Sequence, residues 1–341
     1  MKRNRLIAIG LLVFNLSIGG CKKKQNEAEQ SEGSVAEQVA KAKSQLLGDD
    51  LNIEVFAEYF DAEVTLVVGL NVGTLLKSSS FVDNQEQLED KLPVEIGNIV
   101  DICGFSPLKE LEHLVVAGDK SYMKNADGRS LVWGQGLSKD KVEKCAKSVL
   151  AKEDKTFVVE KKDGYFSYKF EGEAFDLAWL TDSSFLMSPD IKHRDWFKQR
   201  IAKQNSLASD KEKMATLKRA NRRSGVWFTA LQAKGAKDLE GIFGSLPIKN
   251  GTGVYGEISL DDGLAVSGAV MFEDESLAER ATNESIKSLK EFSEAAPIFG
   301  TYTNKLKLEN KKEELTFSYT MTKEELEGLA NFATQQVTAP Q

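Results

Sequence analysis

Histidine and cysteine are scarce in this sequence. Its 341 residues include two histidines, His113 and His193, and three cysteines. Protein zinc sites gather Cys, His and carboxylate ligands at short spacings, and no such grouping occurs here. No G-x-S-x-G, H-E-x-x-H, P-loop or C-x-x-C motif occurs either. We therefore predict no metal, no cofactor and no catalytic site of the classes that these motifs identify.

Three short motifs match in their letters but not in their context. Residues 251–256 read G-T-G-V-Y-G, but a dinucleotide site needs a strand before the glycines and a helix after them, and here a strand is expected after them. Ser121–Lys124 and Ser138–Lys141 fit S-x-x-K, yet the accompanying S-D-N and K-T-G are absent. Ser138 is better placed as a helix N-cap. An enzyme with an unrecognised site remains an alternative.

No apolar run is long enough to remain in a membrane as a spanning helix. Leu6 to Phe14 is nine residues long, about half of the roughly 20 that a span needs. It follows the basic residues Lys2, Arg3 and Arg5 and precedes the small residues of 18–21, I-G-G-C. This three-part layout is typical of a secretory signal peptide, which we place at residues 1–20.

Residues 18–21 resemble the lipobox of bacterial lipoproteins, although Leu is commoner than Ile at the position of Ile18. The resemblance covers residues 1–21 only. It implies cleavage before Cys21 and attachment of acyl chains such as palmitate to that cysteine. Several acyl chains, at about 0.8 kcal/mol per CH₂, would make the anchoring effectively permanent. The alternative is an ordinary secreted protein in which Cys21 happens to lie near the cleavage point.

Residues 21–34 are predicted to be a lipidated, flexible tether. After Lys22, Lys23 and Lys24 the stretch is polar, without aromatic or β-branched residues, so it cannot bury enough apolar surface to fold. In Gram-negative sorting, lipoproteins without Asp after the cysteine generally leave the inner membrane. The expected location is the cell envelope, with the outer membrane favoured over the inner one and the membrane itself as a partner through the lipid.

The remaining two cysteines are expected to form a disulfide. An exported protein lies in a compartment where disulfides persist, and Cys103 and Cys145 are an even number once Cys21 is assigned to lipid. Cys145 also lies on the apolar face of a predicted helix with Val142 and Val149, where it would point inward. Two buried free thiols are the alternative.

The pattern of strands and helices predicts an α+β fold made of two similar halves. Each half would be an antiparallel sheet with helices packed on one face, at residues 35–203 and 225–337, joined by a basic connector at 204–224. The Asp-Gly of residues 163–164 predicts a hairpin, and Thr322 with Glu325 forms a capping box. Apolar residues at helical spacing predict a short helix at 34–47, and a strand is predicted at 302–308. The tether, the E-V-T-L-V-V-G-L-N strand of 63–71 and the C-G-F-S-P segment of 103–107 resemble envelope lipoproteins with duplicated α+β units. That resemblance implies no known activity.

Charge is unevenly distributed along the chain. The formal charge is −7, or −10 without Lys2, Arg3 and Arg5 of the signal peptide, which argues against nucleic acid as a partner. Residues 192–223, here called the basic segment, carry eleven basic and three acidic residues, a net +8. They could bind an anionic envelope component, lipid headgroups or an acidic protein, or fold against the acidic surface of this chain. The candidate anion-binding residues are Arg194, Lys198, Arg200, Lys218, Arg219, Arg222 and Arg223.

The tryptophans are expected to be buried. Trp133, Trp179 and Trp227 fall within predicted strands, so core positions are the default, with an aromatic sheet face that binds glycan or lipid as the alternative. Together these features favour a membrane-anchored envelope lipoprotein that acts as a non-enzymatic binding or scaffold module. A carrier of lipid or another apolar ligand is the first alternative.

Overall fold

A computed structural model describes residues 51–79, 103–119, 128–152, 158–170, 173–231, 250–295, 300–326 and 328. The predicted signal peptide, Cys21, the tether and a predicted helix at 34–47 lie outside the described residues, as does Ser121. The α+β class is confirmed.

The strands of both predicted halves form one antiparallel sheet. It has twelve strands in the order β11-β12-β10-β9-β8-β1-β2-β3-β7-β6-β5-β4. Their bounds are β1 Leu66–Asn71, β2 His113–Gly118, β3 Ser130–Gln135, β4 Val158–Lys161, β5 Phe166–Phe170, β6 Glu173–Trp179, β7 Ser184–Ser188, β8 Val226–Leu231, β9 Gly253–Ser259, β10 Leu264–Met271, β11 Lys307–Lys311 and β12 Glu314–Met321.

The prediction of two separate sheets is therefore wrong at the junction. Strand β1 pairs antiparallel with β8, and Val68 lies opposite Phe228. Both strands are the first of their half, so the strands of the two halves run outward from this pair to β4 at one edge and β11 at the other.

Eight α-helices are described. They are α1 Ile53–Ala57, α2 Val72–Lys77, α3 Pro107–Glu110, α4 Lys139–Lys152, α5 Arg194–Ile201, α6 Lys211–Leu217, α7 Glu275–Ala295 and α8 Gly300–Thr303. Single turns of 3₁₀ helix occupy Ile191–His193 and Leu207–Ser209. Within the described residues, no helix is both long enough and apolar enough to cross a membrane.

Helices pack on both faces of the sheet, not on one as predicted. On the first face, Leu217 of α6 packs in one core with Trp227 and Leu231. On the second face, Ala278 and Ala281 of α7 pack in another core with Val254, Val270 and Leu315. The physical reason lies in the central strands, which carry apolar residues at both odd and even positions. Both faces therefore need covering.

The core of the first face is built around two tryptophans. Trp133 and Trp227 are buried, and the ring of Phe56 from α1 lies 5.9 Å and 6.0 Å from their rings. The indole of Trp227 occupies the space above Gly69, where the Cβ of any other residue would overlap it. The expectation of core positions is confirmed for both tryptophans, and neither contributes to an exposed aromatic face.

Two local predictions are confirmed and one is wrong. Cys103 and Cys145 form a disulfide with their Cα atoms 4.7 Å apart. Thr322 and Glu325 form the capping box, with the Thr322 amide donating to Glu325 at 2.9 Å. The strand predicted at 302–308 begins only at Lys307, because residues 300–303 form α8. The turn after it is correspondingly short and uses Lys312 at a positive φ of 59°.

Candidate functional site

The basic segment uses most of its candidate anion-binding arginines for ion pairs within the chain. Arg194 Nε lies 3.1 Å from the carboxylate of Asp176, whose side chain is fully buried. Arg200 Nη1 lies 3.2 Å from Asp61, and both side chains are almost completely buried. Arg219 pairs with Glu314 at the start of β12. These three arginines therefore already have anionic partners.

The other four candidates differ in how they are engaged. Arg222 Nε donates to the main-chain oxygen of Leu51 at 2.9 Å, and its Nη1 donates to that of Ala220 at 3.1 Å. Lys198 lies 3.5 Å from Asp195, with both side chains exposed, where such a pair contributes little. Lys218 and Arg223 are exposed. No carboxylate among the described residues lies within 4 Å of either.

The basic segment also holds residues 51–64, here called the N-terminal segment. Main-chain hydrogen bonds join the two, from Leu207 N to Phe60 O at 2.8 Å and from Ala62 N to Asn205 O at 2.9 Å. Lys213, almost buried, donates to the main-chain oxygens of Ala62 and Val64, the latter at 3.1 Å. These contacts, with those of Arg200 and Arg222, form what we call the clamp.

Asp61 is the centre of the clamp. Its carboxylate accepts from Trp196 Nε1 at 2.7 Å and from Asn205 Nδ2 at 3.1 Å, and it lies beside Arg200. The guanidinium groups of Arg129 and Arg200 lie 5.5 Å and 5.9 Å from the centre of the Trp196 ring, within cation–π range. A buried carboxylate is thus matched by a buried cation and several donors.

Burial of the clamp changes the proton affinity of its cations. Removal from water lowers the pKa of Arg200, and the nearby charge of Arg129 lowers it further, while Asp61 opposes the shift. Removal from water also lowers the pKa of Lys213, against the attraction of Asp210 and Asp61. No described residue accepts a hydrogen bond from Arg200 Nε. These groups are enclosed by the fold, which suits a structural role better than binding an external anion.

A shallow polar groove lies on the first face of the sheet in the C-terminal half. Two rows of paired residues cross it: Tyr255, Ala269, Thr316 and Glu309 in one row, and Glu257, Ser267, Ser318 and Lys307 in the next. Paired residues in a sheet point to the same face. Here the middle strands β10 and β12 carry small side chains and the outer strands β9 and β11 carry large ones, which gives a groove of about 310 Å³.

The carboxylates on the inner side of this polar groove are held in place. Glu314 accepts from Tyr255 Oη at 3.0 Å and pairs with Arg219. Glu257 accepts from Ser267 Oγ at 3.1 Å and from Asn221 Nδ2 at 2.6 Å. On the outer side, Lys307 is exposed and has no carboxylate of a described residue within 4 Å. The polar groove therefore offers hydroxyls, fixed carboxylates and a lysine to a ligand.

The width of the polar groove limits what it can hold. Strands in a sheet lie about 4.8 Å apart, so β9 and β11 are separated by about 14 Å. Their side chains occupy part of this distance, and an α-helix with its side chains needs about 10–12 Å. A single extended chain fits between the two rims, whereas a helix does not.

The groups considered for catalysis are not brought together. Ser138 Oγ accepts from the amide of Lys141 at 3.5 Å, as an N-cap does, while the Lys141 ammonium pairs with Glu110. His113 lies in β2 and His193 precedes α5. In the part of the chain that the structure describes, no group of three His, Cys, Asp or Glu residues could hold a metal ion.

Ion pairs on the hairpin of β4 and β5, at the edge of the sheet, lower the pKa of one carboxyl group. Glu160 on β4 accepts from Lys162 at 2.8 Å and from Lys169 at 2.9 Å. The hydrogen bonds from these two lysines lower the pKa of Glu160 to about 2. These two ion pairs connect β4 to β5 and to the turn between them. They lie at the opposite edge of the sheet from the polar groove.

Comparisons with known proteins give one solved structure with a similar arrangement. No family model matches the sequence, and no curated protein matches it. The solved structure is titled "Structure of crystal form I of TP0453"; the match has a TM-score of 0.42 and 11% sequence identity. It covers 82% of this chain and 96% of that chain.

Proposed function

We propose that this chain is a non-enzymatic binding module of the cell envelope, held at a membrane by lipid on Cys21. The outer membrane is the expected location. In this proposal the polar groove takes an extended, polar segment of another envelope component. The observation that carries the proposal is the row of half-buried hydroxyl side chains, Ser267 on β10 and Thr316 and Ser318 on β12, between the larger side chains of β9 and β11.

The chemistry of the polar groove favours binding over catalysis. A catalytic nucleophile needs an adjacent base, and that base needs a third group to orient it. The groove instead places hydroxyl groups such as those of Thr316 and Ser318 beside carboxylates that are held by neutral donors and by Arg219.

The order of the strands supports an internal duplication as part of this proposal. Counting outward from the junction, one half reads β1-β2-β3-β7-β6 and the other reads β8-β9-β10-β12-β11. These are the same order, with the β4–β5 hairpin as an addition at one edge. In the N-terminal half the corresponding face is covered by α5, where Phe197 packs on Tyr165 at 5.6 Å. In this proposal the two halves share one strand order, and they differ in that a helix covers this face in the N-terminal half while the C-terminal half has the polar groove there.

The groove is tested by site-specific photocrosslinking in living cells. A photoreactive residue at Ser318 should give a discrete product, and one at Lys287, exposed on α7, should not. The variant Ser267→Phe should abolish the Ser318 product by filling the groove. No product at Ser318, the same product from Lys287, or no effect of Ser267→Phe would overturn the proposal.

The anchor is tested separately. Cys21→Ser should remove the acyl mass from the mature chain and release it from the membrane fraction. If the chain kept its position and mass after this change, lipid on Cys21 would be excluded, whatever the crosslinking result.

A further inference from the structure

The clamp holds Leu51, the first described residue after Cys21, and we call this point the exit towards Cys21. The side chain of Leu51 is 5% exposed, and its main-chain oxygen accepts from Arg222 Nε at 2.9 Å. Leu51 lies 30 residues after Cys21. The described residue nearest to Cys21 along the chain is therefore held by the basic segment.

Basic residues that the clamp does not use lie close in sequence to Arg222, which holds this exit. Lys218 and Arg223, four residues before and one after Arg222, are exposed and have no described carboxylate within 4 Å. Lys211 lies one helical repeat of seven residues before Lys218, so the two share a face of α6, and it is exposed as well. Their neighbour Arg219 differs, because it pairs with Glu314.

Acidic residues near the exit only partly offset this charge. Glu54 on α1 and Glu212 on α6 are exposed. Asp210 is engaged as the N-cap of α6, where it accepts from the Lys213 amide at 3.1 Å. Glu58 pairs with Lys203. Among the described residues, the three bases that the clamp does not use, Lys211, Lys218 and Arg223, outnumber Glu54 and Glu212 by one.

We infer that the surface of Lys211, Lys218 and Arg223, here called the docking surface, faces the membrane and binds the headgroups of anionic lipids. This inference rests on the proposed anchoring through Cys21, because the anchor is what brings the exit of the chain to a membrane. The three side chains are long and project outward, so each can approach a headgroup while the clamp stays intact.

Because the anchor keeps the body near the membrane, weak binding of headgroups by the docking surface is sufficient to hold it there. The predicted flexible tether of residues 21–34 spans about 20 Å on average over 14 residues, so the body stays close to the headgroups at a high effective concentration. Each basic residue near an anionic leaflet strengthens binding by about fivefold at physiological salt.

The experiment measures sedimentation of the mature chain carrying Cys21→Ser with vesicles of phosphatidylcholine, with and without phosphatidylglycerol. The unmodified docking surface should bind the anionic vesicles, more weakly as salt rises. The double variant Lys218→Gln, Arg223→Gln should bind about 25-fold more weakly. The control Lys287→Gln, Lys290→Gln on α7 makes the same change in net charge and should bind as before.

Three results would overturn the inference: no preference for anionic vesicles, equal weakening in both double variants, or no weakening in the first. Urea unfolding of each variant shows whether it remains folded, and Lys22–Lys24 are present in every protein compared. The vesicle assay uses a chain without lipid. A failure of the lipid anchor would therefore appear in the mass of the Cys21 chain, and a failure of the docking surface only in vesicle binding.

Discussion

Replacement of Asp61 by alanine tests whether the clamp determines the stability of the body. The carboxylate accepts from the indole of Trp196, the amide of Asn205 and the main-chain N–H of Glu63 at 2.7, 3.1 and 2.9 Å. It also neutralises Arg200, whose side chain is 1% exposed. Asp61→Ala would leave these donors and one buried positive charge without their acceptor.

The expected cost follows from the buried charge. Removing one partner of a buried ion pair costs about 3–5 kcal/mol, since the other charge stays uncompensated. Asp61→Asn keeps one acceptor oxygen for the neutral donors and should cost less than Asp61→Ala. Adding Arg200→Met to Asp61→Ala removes the stranded charge. The double variant should therefore be more stable than the sum of the two single changes predicts, by about 2 kcal/mol.

Urea unfolding of the mature chain with Cys21→Ser measures these free energies. Asp195→Ala is the matched control, because that carboxylate is 94% exposed and lies 3.5 Å from Lys198. An exposed pair of this kind is worth about 0–1 kcal/mol. If Asp61→Ala cost no more than Asp195→Ala, or if Asp61→Ala and Arg200→Met were additive, the clamp would not be the determinant argued here.

Three further changes follow from the structure. Gly69→Ala should destabilise the fold by about 1–3 kcal/mol in urea unfolding, because the new methyl group meets the buried indole of Trp227. The control Gly73→Ala, with the nearest atom 3.8 Å from its Cβ, should be neutral or slightly stabilising. Equal effects of the two substitutions would refute the packing argument. Cys103→Ser should cost about 4 kcal/mol, and a reductant should destabilise only the unmodified chain; no effect in either case would exclude a stabilising disulfide. Glu160 has a lowered pKa of about 2, so its contribution is present at pH 7 and lost as the pH falls from about 4.5 towards 2. The stability difference between Glu160→Gln and the unmodified chain should shrink over that range in acid titrations of unfolding, and a constant difference would contradict the ion pairs.

Features that depend on nearby residues were predictable from the sequence. The hairpin at Asp163-Gly164 forms, with Gly164 at a φ of 81° that glycine adopts easily. The capping box of Thr322 and Glu325 forms for a similar reason, since each partner lies within one helical turn of the other. In both cases the chemistry that fixes the conformation lies within a few residues.

The pairing of β1 with β8 was not predictable in this way. The two strands are about 160 residues apart in sequence, and the apolar run of each strand does not indicate which other strand it pairs with. One signal was available, because an isolated glycine inside a strand often marks a close approach by another group. Gly69 is such a residue, and the group that approaches it is Trp227.

The segment before β11 shows how a local pattern can mislead. Residues 302–308 read Y-T-N-K-L-K-L, and the alternation of lysine and leucine at the end of this stretch is typical of a half-buried strand. In the structure the first of these residues close α8, where Thr303 Oγ1 donates to Gly300 O at 3.1 Å. A threonine hydroxyl that bonds to the main chain competes with strand pairing. Sequence composition does not show whether the helical turn or the strand forms.

The basic segment combines a feature that was predictable from the sequence with one that was not. Its net charge was visible in the sequence, but whether each base turned inward depended on carboxylates distant in the chain, such as Asp61 for Arg200. Helical spacing gave a partial indication, because Arg200 lies three residues after the buried Phe197 and shares its inward face. Lys218 and Arg223 remain outside, although the rest of the mature chain carries a net negative charge. Neither has a carboxylate of a described residue within 4 Å. Both lie close in sequence to Arg222, which holds Leu51, and a lipid anchor on Cys21 would bring anionic headgroups towards this part of the body.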